Sequence, residues 1–452
     1  MSAQREQIIS GDLVKTVWHL AWPNILLSLF SLLNMTTDRL FIAHLGEGPM
    51  AVVTAGGFYL WFFQSIAIGI NVGTIALVSR FTGKQEPHKA EETGRQALML
   101  GVGFSLLFTL FSWWYAGPIL KLMGLPPDLL KQGKLYYYPL IFSALFQYFL
   151  HTQASILRGL GDMITPLKVL GAVSVLCVLM AYPLIFGLGH MPPLGLLGAG
   201  LATGISRFLG AIFLFFYFIK PRNGYSLYSG LFVPSWKWFM RILRVGFPMV
   251  VQNAIDSLGW LVKIGILART NQGVNAVAAL GVGITVEGIS FMIGFSYAIA
   301  AATMVGQNLG AGSVERAEQG AWRAANQGAL LMLAVSAVFA ALAYPLAKLF
   351  VHDHQAISLV CTYLWIVAPS EPLLGYALIF SGALEGAGDT WVPACITIFA
   401  AWVLRIPLIY YLCLVLNWGA VPAWVLLSVT AVIQGLLMML RFKSGKWKAA
   451  RI

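Results

Sequence analysis

The sequence predicts an all-α polytopic membrane protein with twelve transmembrane helices in two pseudo-symmetric six-helix lobes. An apolar composition, twelve apolar stretches of membrane-spanning length and an internal repeat support this prediction. Of the 452 residues, 59% are hydrophobic and only 10% are charged. Soluble chains carry about 25% charged residues, and intrinsic disorder requires low hydrophobicity. The composition therefore excludes both a water-soluble globule and a disordered chain.

Twelve stretches are long and apolar enough to cross a bilayer as helices, which takes about 20 residues each. The first, second and eighth stretches are long, which predicts tilted or kinked helices. The stretches lack the alternation of polar and apolar residues that is typical of a membrane β-barrel. The predicted spans cover residues 16–43, 50–79, 96–118, 135–157, 166–187, 195–219, 242–268, 277–305, 322–347, 357–384, 392–416 and 419–441.

The basic residues predict the orientation in the membrane, because Lys and Arg collect in cytoplasmic loops. With the N-terminus inside, 20 of the 29 Lys and Arg residues fall in cytoplasmic segments, and only five fall outside. We therefore expect a multi-pass protein of the inner (plasma) membrane with both termini in the cytoplasm. The first apolar run is too long for a signal peptide and is expected to remain as the first span. The net charge of +12 is expected to face membrane lipid and not nucleic acid.

The chain repeats itself at an offset of 227 residues. Gly161–Pro166 (GDMITP) matches Gly388–Pro393 (GDTWVP), and each Asp is expected to cap the helix that follows. Pro23 and Pro248 match at an offset of 225. Six spans therefore repeat as six spans, and an even number of spans gives both copies the same orientation about an axis normal to the membrane.

The repeat predicts an N-lobe of residues 1–220 with spans one to six and a C-lobe of residues 241–452 with spans seven to twelve. A basic, Pro- and Gly-containing stretch at residues 221–240 is predicted to be a cytoplasmic linker. Two such lobes enclose a cleft that rocking can expose to either side, as in transporters. The chain has no Walker lysine motif, so we do not expect ATP to drive transport directly.

Five motifs resemble the multidrug and toxic compound extrusion (MATE) family. The matching segments are Gly306–Gly312 (GQNLGAG), Arg158–Asp162 (RGLGD), Glu385–Asp389 (EGAGD), Gly195–Thr203 (GLLGAGLAT) and Asp38 within NMTTDRLFIAHLG. They lie in the family's order and in both lobes, and the resemblance covers nearly the whole chain. It implies a secondary transporter of twelve helices.

The resemblance implies a cation or proton site in the N-lobe at Asp38, with Thr203 retained from the sixth span. Family members with this site also have an Asn and an Asp in the fifth span, where this chain has Val178 and Tyr182. A full cage of oxygen ligands for Na⁺ is therefore doubtful. Protonation of Asp38 requires only one acid.

A second coupling acid is implied in the C-lobe at Asp256, where some branches of the family carry a Glu. The tenth-span Asp of those branches falls on Leu374, and Glu371 lies one turn earlier as its candidate replacement. Asp256 and Lys263 are seven residues apart on one helix face. The alternative is therefore that these two residues form an internal ion pair with a structural role.

The predicted substrate cleft requires polar and aromatic side chains that suit flat organic cations. Glu287 in the eighth span is expected to attract cations. Aromatic residues of a membrane protein otherwise face lipid or the membrane interfaces. The candidates for the cleft are Glu287, Tyr59, Phe62, Lys263 and Tyr182.

These observations predict a non-enzymatic exporter of organic, cationic drugs or metabolites, coupled to inward H⁺ or Na⁺ by antiport with alternating access. We expect no cofactor beyond that coupling ion, no metal site and a monomer. The alternatives are a lipid-linked oligosaccharide flippase or another exporter of the same superfamily, and a channel. A flippase would need a cleft rich in Arg and Lys, and a membrane enzyme would need a clustered catalytic set that the sequence lacks.

Overall fold

A computed structural model describes the backbone of residues 2–122, 126–188, 192–219, 225–228 and 230–450. The side chains of residues 2, 3, 55, 58, 59, 61 and 62 lie outside the described part. Within this part, twelve helical stretches are long and apolar enough to cross a membrane, which confirms the predicted fold class.

The spans are built from long helices, and some of them contain internal breaks. The tenth span joins α12 to α13 through a 3₁₀ turn. The eleventh joins α14 to α15 through one π-helical stretch and ends in a second one after α15. The α-helices are α1 (Ser2–Ser10), α2 (Leu13–Ala43), α3 (Glu47–Gly83), α4 (Pro87–Leu122), α5 (Pro127–Gly159), α6 (Ile164–Phe186), α7 (Leu196–Ile219), α8 (Trp236–Ala268), α9 (Gly273–Gly310), α10 (Val314–Ala341), α11 (Ala343–Phe350), α12 (His354–Val367), α13 (Glu371–Ala387), α14 (Trp391–Ile398), α15 (Ile406–Tyr410) and α16 (Val421–Lys443).

The ninth and tenth spans, like the eleventh, are not single α-helices. The ninth, predicted at 322–347, ends its main helix at Ala341. The tenth, predicted at 357–384, is interrupted by the turn Ala368–Ser370. Pro369 lies within this break and Pro372 follows it, and proline removes a backbone donor and clashes with the preceding helical turn. The break places Glu371 in the first turn of α13.

The chain forms two compact units. One consists of Met1–Glu6 and Leu26–Phe247, and the other of Gln7–Ile25 and Pro248–Ile452. The predicted division into lobes of residues 1–220 and 241–452 stays a prediction. The two units differ from it because the first part of α2 belongs to the second unit and the first part of α8 belongs to the first unit. Both exchanges occur at or near the repeated prolines, Pro23 and Pro248.

Glycines allow equivalent helices to approach closely in both units. A Cβ at Gly386 would lie 2.2 Å from the Ala302 oxygen, and a Cβ at Gly159 would lie 3.3 Å from the Ile75 oxygen. Both residues of one contact lie 227 positions after those of the other. The sequence repeat therefore extends to the packing of the fourth span on the second in each unit.

Each unit has its own apolar core. The core of the first unit includes Ile42, Tyr137 and Ile185, and that of the second includes Tyr363 and Trp424. Many other large apolar side chains are exposed, as expected of a protein whose surroundings are lipid hydrocarbon.

Candidate coupling and substrate sites

In the first unit, the half-buried Asp38 on α2 is surrounded by titratable and charged groups from four helices. The guanidinium of Arg207 on α7 and that of the adjacent Arg39 act electrostatically on its carboxylate. Tyr136 on α5 and Cys177 on α6 interact with the same carboxylate. Among the described residues, Asp38 receives no hydrogen bond and forms no ion pair.

Few oxygen ligands accompany Asp38. The hydroxyl of Thr203, the other predicted residue, lies 3.7 Å from the Cys177 sulfur. The amide of Asn34 interacts with Cys177 and donates to the Ser174 carbonyl oxygen at 3.5 Å. The structure thus brings Asp38 and Thr203 into one cluster. This cluster also contains the sulfur of Cys177, which is a soft ligand.

Arg207 is the cluster member whose importance the sequence did not reveal. Its Nη1 donates to Ser143 Oγ at 2.9 Å, and Ser143 is fully buried on α5. Arg207 lies one helical turn after Thr203 on α7. That spacing was the available signal, because residues four apart share a helix face.

Of the residues predicted for the substrate cleft, Tyr182 does not contribute to this cluster. Tyr182 is exposed and packs its ring against Phe41 and Phe186, with centroid distances of 5.9 and 5.4 Å. The side chains of Tyr59 and Phe62 lie outside the described residues.

In the second unit, two of the predicted acids meet. The charge of Glu287 on α9 acts on the carboxyl group of Glu371 on α13. Tyr363 Oη donates to Glu287 Oε2 at 2.5 Å, and Ser290 donates to Glu371 Oε2. Glu371 is only 2% exposed, and its Oε1 receives no donor from any described residue. Two neighbouring carboxylates repel each other when both are ionised, so the pair is suited to hold one proton.

Lys263 lies beside this acid pair. Its Nζ sits 3.3 Å from the centroid of the Trp260 ring, and the residue is 5% exposed. Its charge interacts with those of Asp256 and Glu287, but no described carboxylate lies within ion-pairing distance. The structure therefore does not contain the ion pair that was the alternative for Asp256 and Lys263, because the Lys263 Nζ lies over the Trp260 ring instead.

Arg405 completes the group of charges in the second unit. Its Nε donates to Thr430 Oγ1 at 2.6 Å, and its charge acts on Asp256 and Glu287. Arg405 is the last residue of the π-helical stretch Phe399–Arg405. Such stretches frequently occur at functional sites. We call Asp256, Lys263, Glu287, Glu371 and Arg405 the C-unit charge cluster.

The sequence missed several neighbours of these acids, although some left a signal. Ser290 lies three residues after Glu287, on the same helix face. Tyr363 and Glu371 lie on either side of the tenth-span break, so their proximity depended on an interruption that was not predicted.

The repeated Gly-Asp loops differ between the two units. Asp162 Oδ1 accepts from the backbone nitrogens of Ile164 and Thr165 at 3.1 and 2.9 Å, so it caps α6 as predicted. The expectation for Asp389 was wrong. Asp389 forms an ion pair with Arg441, whose Nη2 lies 2.6 Å from Oδ2.

The described part of the predicted linker is docked on the first unit. The Ser226 nitrogen donates to Glu91 Oε1 at 2.6 Å, and the Ser235 nitrogen donates to Gln96 Oε1 at 3.0 Å. Burial, and to a lesser degree the charge of Glu91, raises the pKa of Tyr225 well above its ordinary value. Its hydroxyl therefore stays protonated at neutral pH. The predicted linker also overlaps the start of α8 at Trp236.

Among the residues that the structure describes, no group of three or more His, Cys, Asp and Glu side chains is placed to hold a metal ion. The acids of both sites are instead interleaved with Arg, Lys and hydroxyl groups. This arrangement suits proton exchange and electrostatic binding of a substrate.

Comparison with known proteins adds a family match in each half. The MatE family model matches residues 23–183 and 248–411. A "probable multidrug resistance protein NorM" of Thermotoga maritima is 27% identical over 440 residues, covering 97% of this chain and 93% of the relative. A "probable multidrug resistance protein YoeA" of Bacillus subtilis is 26% identical over 419 residues, covering 90% and 88%.

Solved structures share the same fold. An outward-facing multidrug resistance MATE family transporter of the MOP superfamily superposes with a TM-score of 0.90. A MOP superfamily transporter from Pyrococcus furiosus gives the same TM-score. Each is 21% identical, and 97% of both chains is covered in each comparison.

Proposed function

Since this chain belongs to the MATE family of membrane transporters, as its repeated motifs predicted, we propose that it is a secondary active exporter of organic cations. The relatives named multidrug resistance proteins support drug-sized substrates. Export would occur by antiport with inward H⁺ or Na⁺, and both termini would lie in the cytoplasm.

The observation that carries this proposal is the interacting pair of acids Glu287 and Glu371, which accept from Tyr363 and Ser290. The C-unit charge cluster contains three acids and two basic side chains. With every group ionised its net charge is −1, and with one proton on the acid pair its net charge is zero. A buried net charge is unfavourable, so the cluster favours binding of one positive charge.

A proton and a cationic substrate can each supply that charge. If the pair releases its proton toward the cytoplasm, the cluster becomes negative and binds the organic cation. Return of a proton from outside neutralises the pair and lowers the affinity for the cation. Coupling then follows from the different affinities of the two states for the two ligands.

The same charges argue against the flippase alternative. A pyrophosphate-linked lipid would need an excess of cations in the substrate path. Lys263 and Arg405 are accompanied by three acids, and Arg207 is accompanied by Asp38. These basic groups are electrostatically balanced by the protein itself.

Reconstitution in proteoliposomes tests the proposed function. Efflux of a fluorescent organic cation is measured with an imposed pH gradient or an imposed Na⁺ gradient, each alone. We expect saturable transport that one gradient accelerates, and counterflow when both gradients are absent. Passive flux that neither saturates nor responds to either gradient would contradict antiport and indicate a channel.

A further inference from the structure

Two adjacent stripes of side chains run along the start of α8, one apolar and one basic. The exposed apolar stripe consists of Trp236, Met240 and Phe247. The basic stripe consists of Lys237, Arg241 and Arg244. Each set has the spacing of one helix face, and the basic set begins one residue later, which is about 100° round the helix axis. We call these six residues the α8 surface.

The length of α8 places this surface at the edge of the bilayer. The helix has 33 residues and is therefore about 50 Å long, whereas the hydrocarbon core of a bilayer is about 30 Å thick. The basic residues of its first three turns mark the end that extends beyond the core, because charged side chains are costly within hydrocarbon. The two stripes thus begin at the depth of the lipid headgroups. Trp236, which is 75% exposed, is a residue type that is enriched at this depth.

One cation of the basic stripe is held in place, and the other two have no partner. The Cζ atom of Arg241 lies 5.1 Å from the ring centroid of Phe81 and 5.2 Å from that of Trp238. Phe81 is buried at the end of α3, so it gives the guanidinium a rigid support. Lys237 and Arg244 are exposed and form no hydrogen bond or ion pair with any described residue. Their charges can therefore face a bound anion.

The immediate surroundings of Arg241 leave an excess of positive charge. Lys89 Nζ lies 5.9 Å from the same Phe81 ring. Glu86 forms an ion pair with Lys89 at 3.1 Å, and its charge also acts on Arg241. With these two residues included, the described part of the surface has four basic groups and one acid. Anions are therefore attracted to it.

The backbone before α8 is fixed to the first unit, which holds both stripes in one orientation. The fully buried Gln96 donates to the Val233 carbonyl oxygen at 2.7 Å and accepts from the Ser235 nitrogen at 3.0 Å. Tyr225 and Leu227 are buried earlier in the same segment. A surface that is already ordered loses less entropy when it binds a ligand.

We propose that the α8 surface binds an anionic phospholipid. The phosphate of the lipid lies on the basic stripe, and an acyl chain follows the apolar stripe into the hydrocarbon. A zwitterionic headgroup binds less well, because its ammonium group is repelled by the same cations. A soluble phosphate lacks the contact with the apolar stripe. The inference goes beyond the proposed export activity and does not depend on it.

Quenching of Trp236 fluorescence by brominated lipids in nanodiscs tests the proposal. The chain has 15 Trp residues, so every variant is measured with and without Trp236→Phe, and the difference gives the signal of this one residue. Phosphatidylglycerol and phosphatidylcholine, brominated near the ester end of the acyl chain, are compared as a function of mole fraction. We expect the anionic lipid to quench Trp236 at the lower mole fraction.

Removing the two cations without partners should remove most of this preference. Each cation near an anionic lipid contributes about fivefold in affinity. The double variant Lys237→Gln with Arg244→Gln should therefore lower the preference for phosphatidylglycerol by roughly thirtyfold. The double variant Lys237→Arg with Arg244→Lys keeps both charges and should retain the preference, which separates the effect of charge from an effect on folding.

Lys443→Gln with Lys446→Gln is the matched control. It removes the same charge from two exposed lysines at the end of α16, which form no ion pair with any described residue. This control should keep the preference, and soluble glycerol phosphate should leave the quenching unchanged. Equal quenching by the two lipids in the wild type, an equal loss of preference in the control, or competition by glycerol phosphate would each overturn the inference.

Discussion

Replacing Glu371 by Gln should abolish proton release from the C-unit charge cluster with little change in its packing. Glutamine has the shape of protonated glutamic acid. Its carbonyl can accept from Ser290, which now donates to Glu371 Oε2, and its amide can donate to Glu287. With Asp256 and Glu287 ionised, two acids face Lys263 and Arg405, and the net charge is zero without any proton.

The expected size of the effect follows from this charge count. In the wild type, at a pH where the acid pair holds one proton, binding of a monovalent organic cation should release about one proton. In the variant, the same binding should release none. When the wild-type pair is fully ionised, its cluster offers one negative charge more than the variant. One charge acting over about 6 Å at an effective dielectric constant near 20 contributes about 3 kcal/mol, or about a hundredfold in affinity.

Calorimetry measures both quantities. Titration of a tetraphenylphosphonium salt in two buffers of different ionisation enthalpy gives the number of protons released together with the affinity. Glu385→Gln is the matched control, because Glu385 is a further acid of the same unit whose carboxylate accepts from Ser381 at 2.9 Å outside the charge cluster. Proton release of about one, with unchanged affinity, in Glu371→Gln would refute the role of the pair.

Four further predictions concern other parts of the chain. Asp38→Asn should abolish gradient-driven efflux while the protein stays folded, and wild-type efflux would show that the acid is not needed. Asp256→Asn should lose transport. The double variant Asp256→Asn with Lys263→Met should not recover it, because no ion pair joins the two residues. Recovery of transport in vesicle assays would instead support the ion pair. A cysteine at Leu231, which is 84% exposed, should react with impermeant maleimide only from the cytoplasmic side. Gly386→Ala should lower the free energy of unfolding by about 1–3 kcal/mol, measured by denaturation in detergent, because its Cβ would meet the Ala302 oxygen at 2.2 Å.

Most of the fold was predictable because it depends on properties that the sequence repeats. Hydropathy gave twelve spans, since each helix must be apolar over about 20 residues to cross a bilayer. The 227-residue repeat gave equivalent packing, as the contacts of Gly159 and Gly386 illustrate. Interruptions were harder to predict, because Pro369 and Pro372 lie within an apolar run that hydropathy treats as continuous.

The site was less predictable, because the sequence gives the identity of a charged residue but not its partner. Asp38 and Arg207 are far apart in the chain, and only the tertiary fold brings their charges close enough to interact. Lys263 could reach Asp256 along its own helix. Instead, its Nζ lies 3.3 Å from the centroid of the Trp260 ring. A choice between two side-chain directions on one helix depends on the tertiary surroundings.

The repeat also explains why the two units handle charge differently. At the offset of 225 that relates the first and seventh spans, Asp38 corresponds to Lys263; at the offset of 227, Val178 corresponds to Arg405 and Thr203 to Thr430. The positions equivalent to Asp38 and Val178 are therefore occupied in the second unit by two basic side chains, Lys263 and Arg405. Arg405 donates there to Thr430 Oγ1 at 2.6 Å. An equivalent cation site cannot form at that place, because Lys263 and Arg405 would repel the ion. The acids of the second unit lie on other helices, at Glu287 and Glu371, so the two units can bind protons at positions that the repeat does not relate.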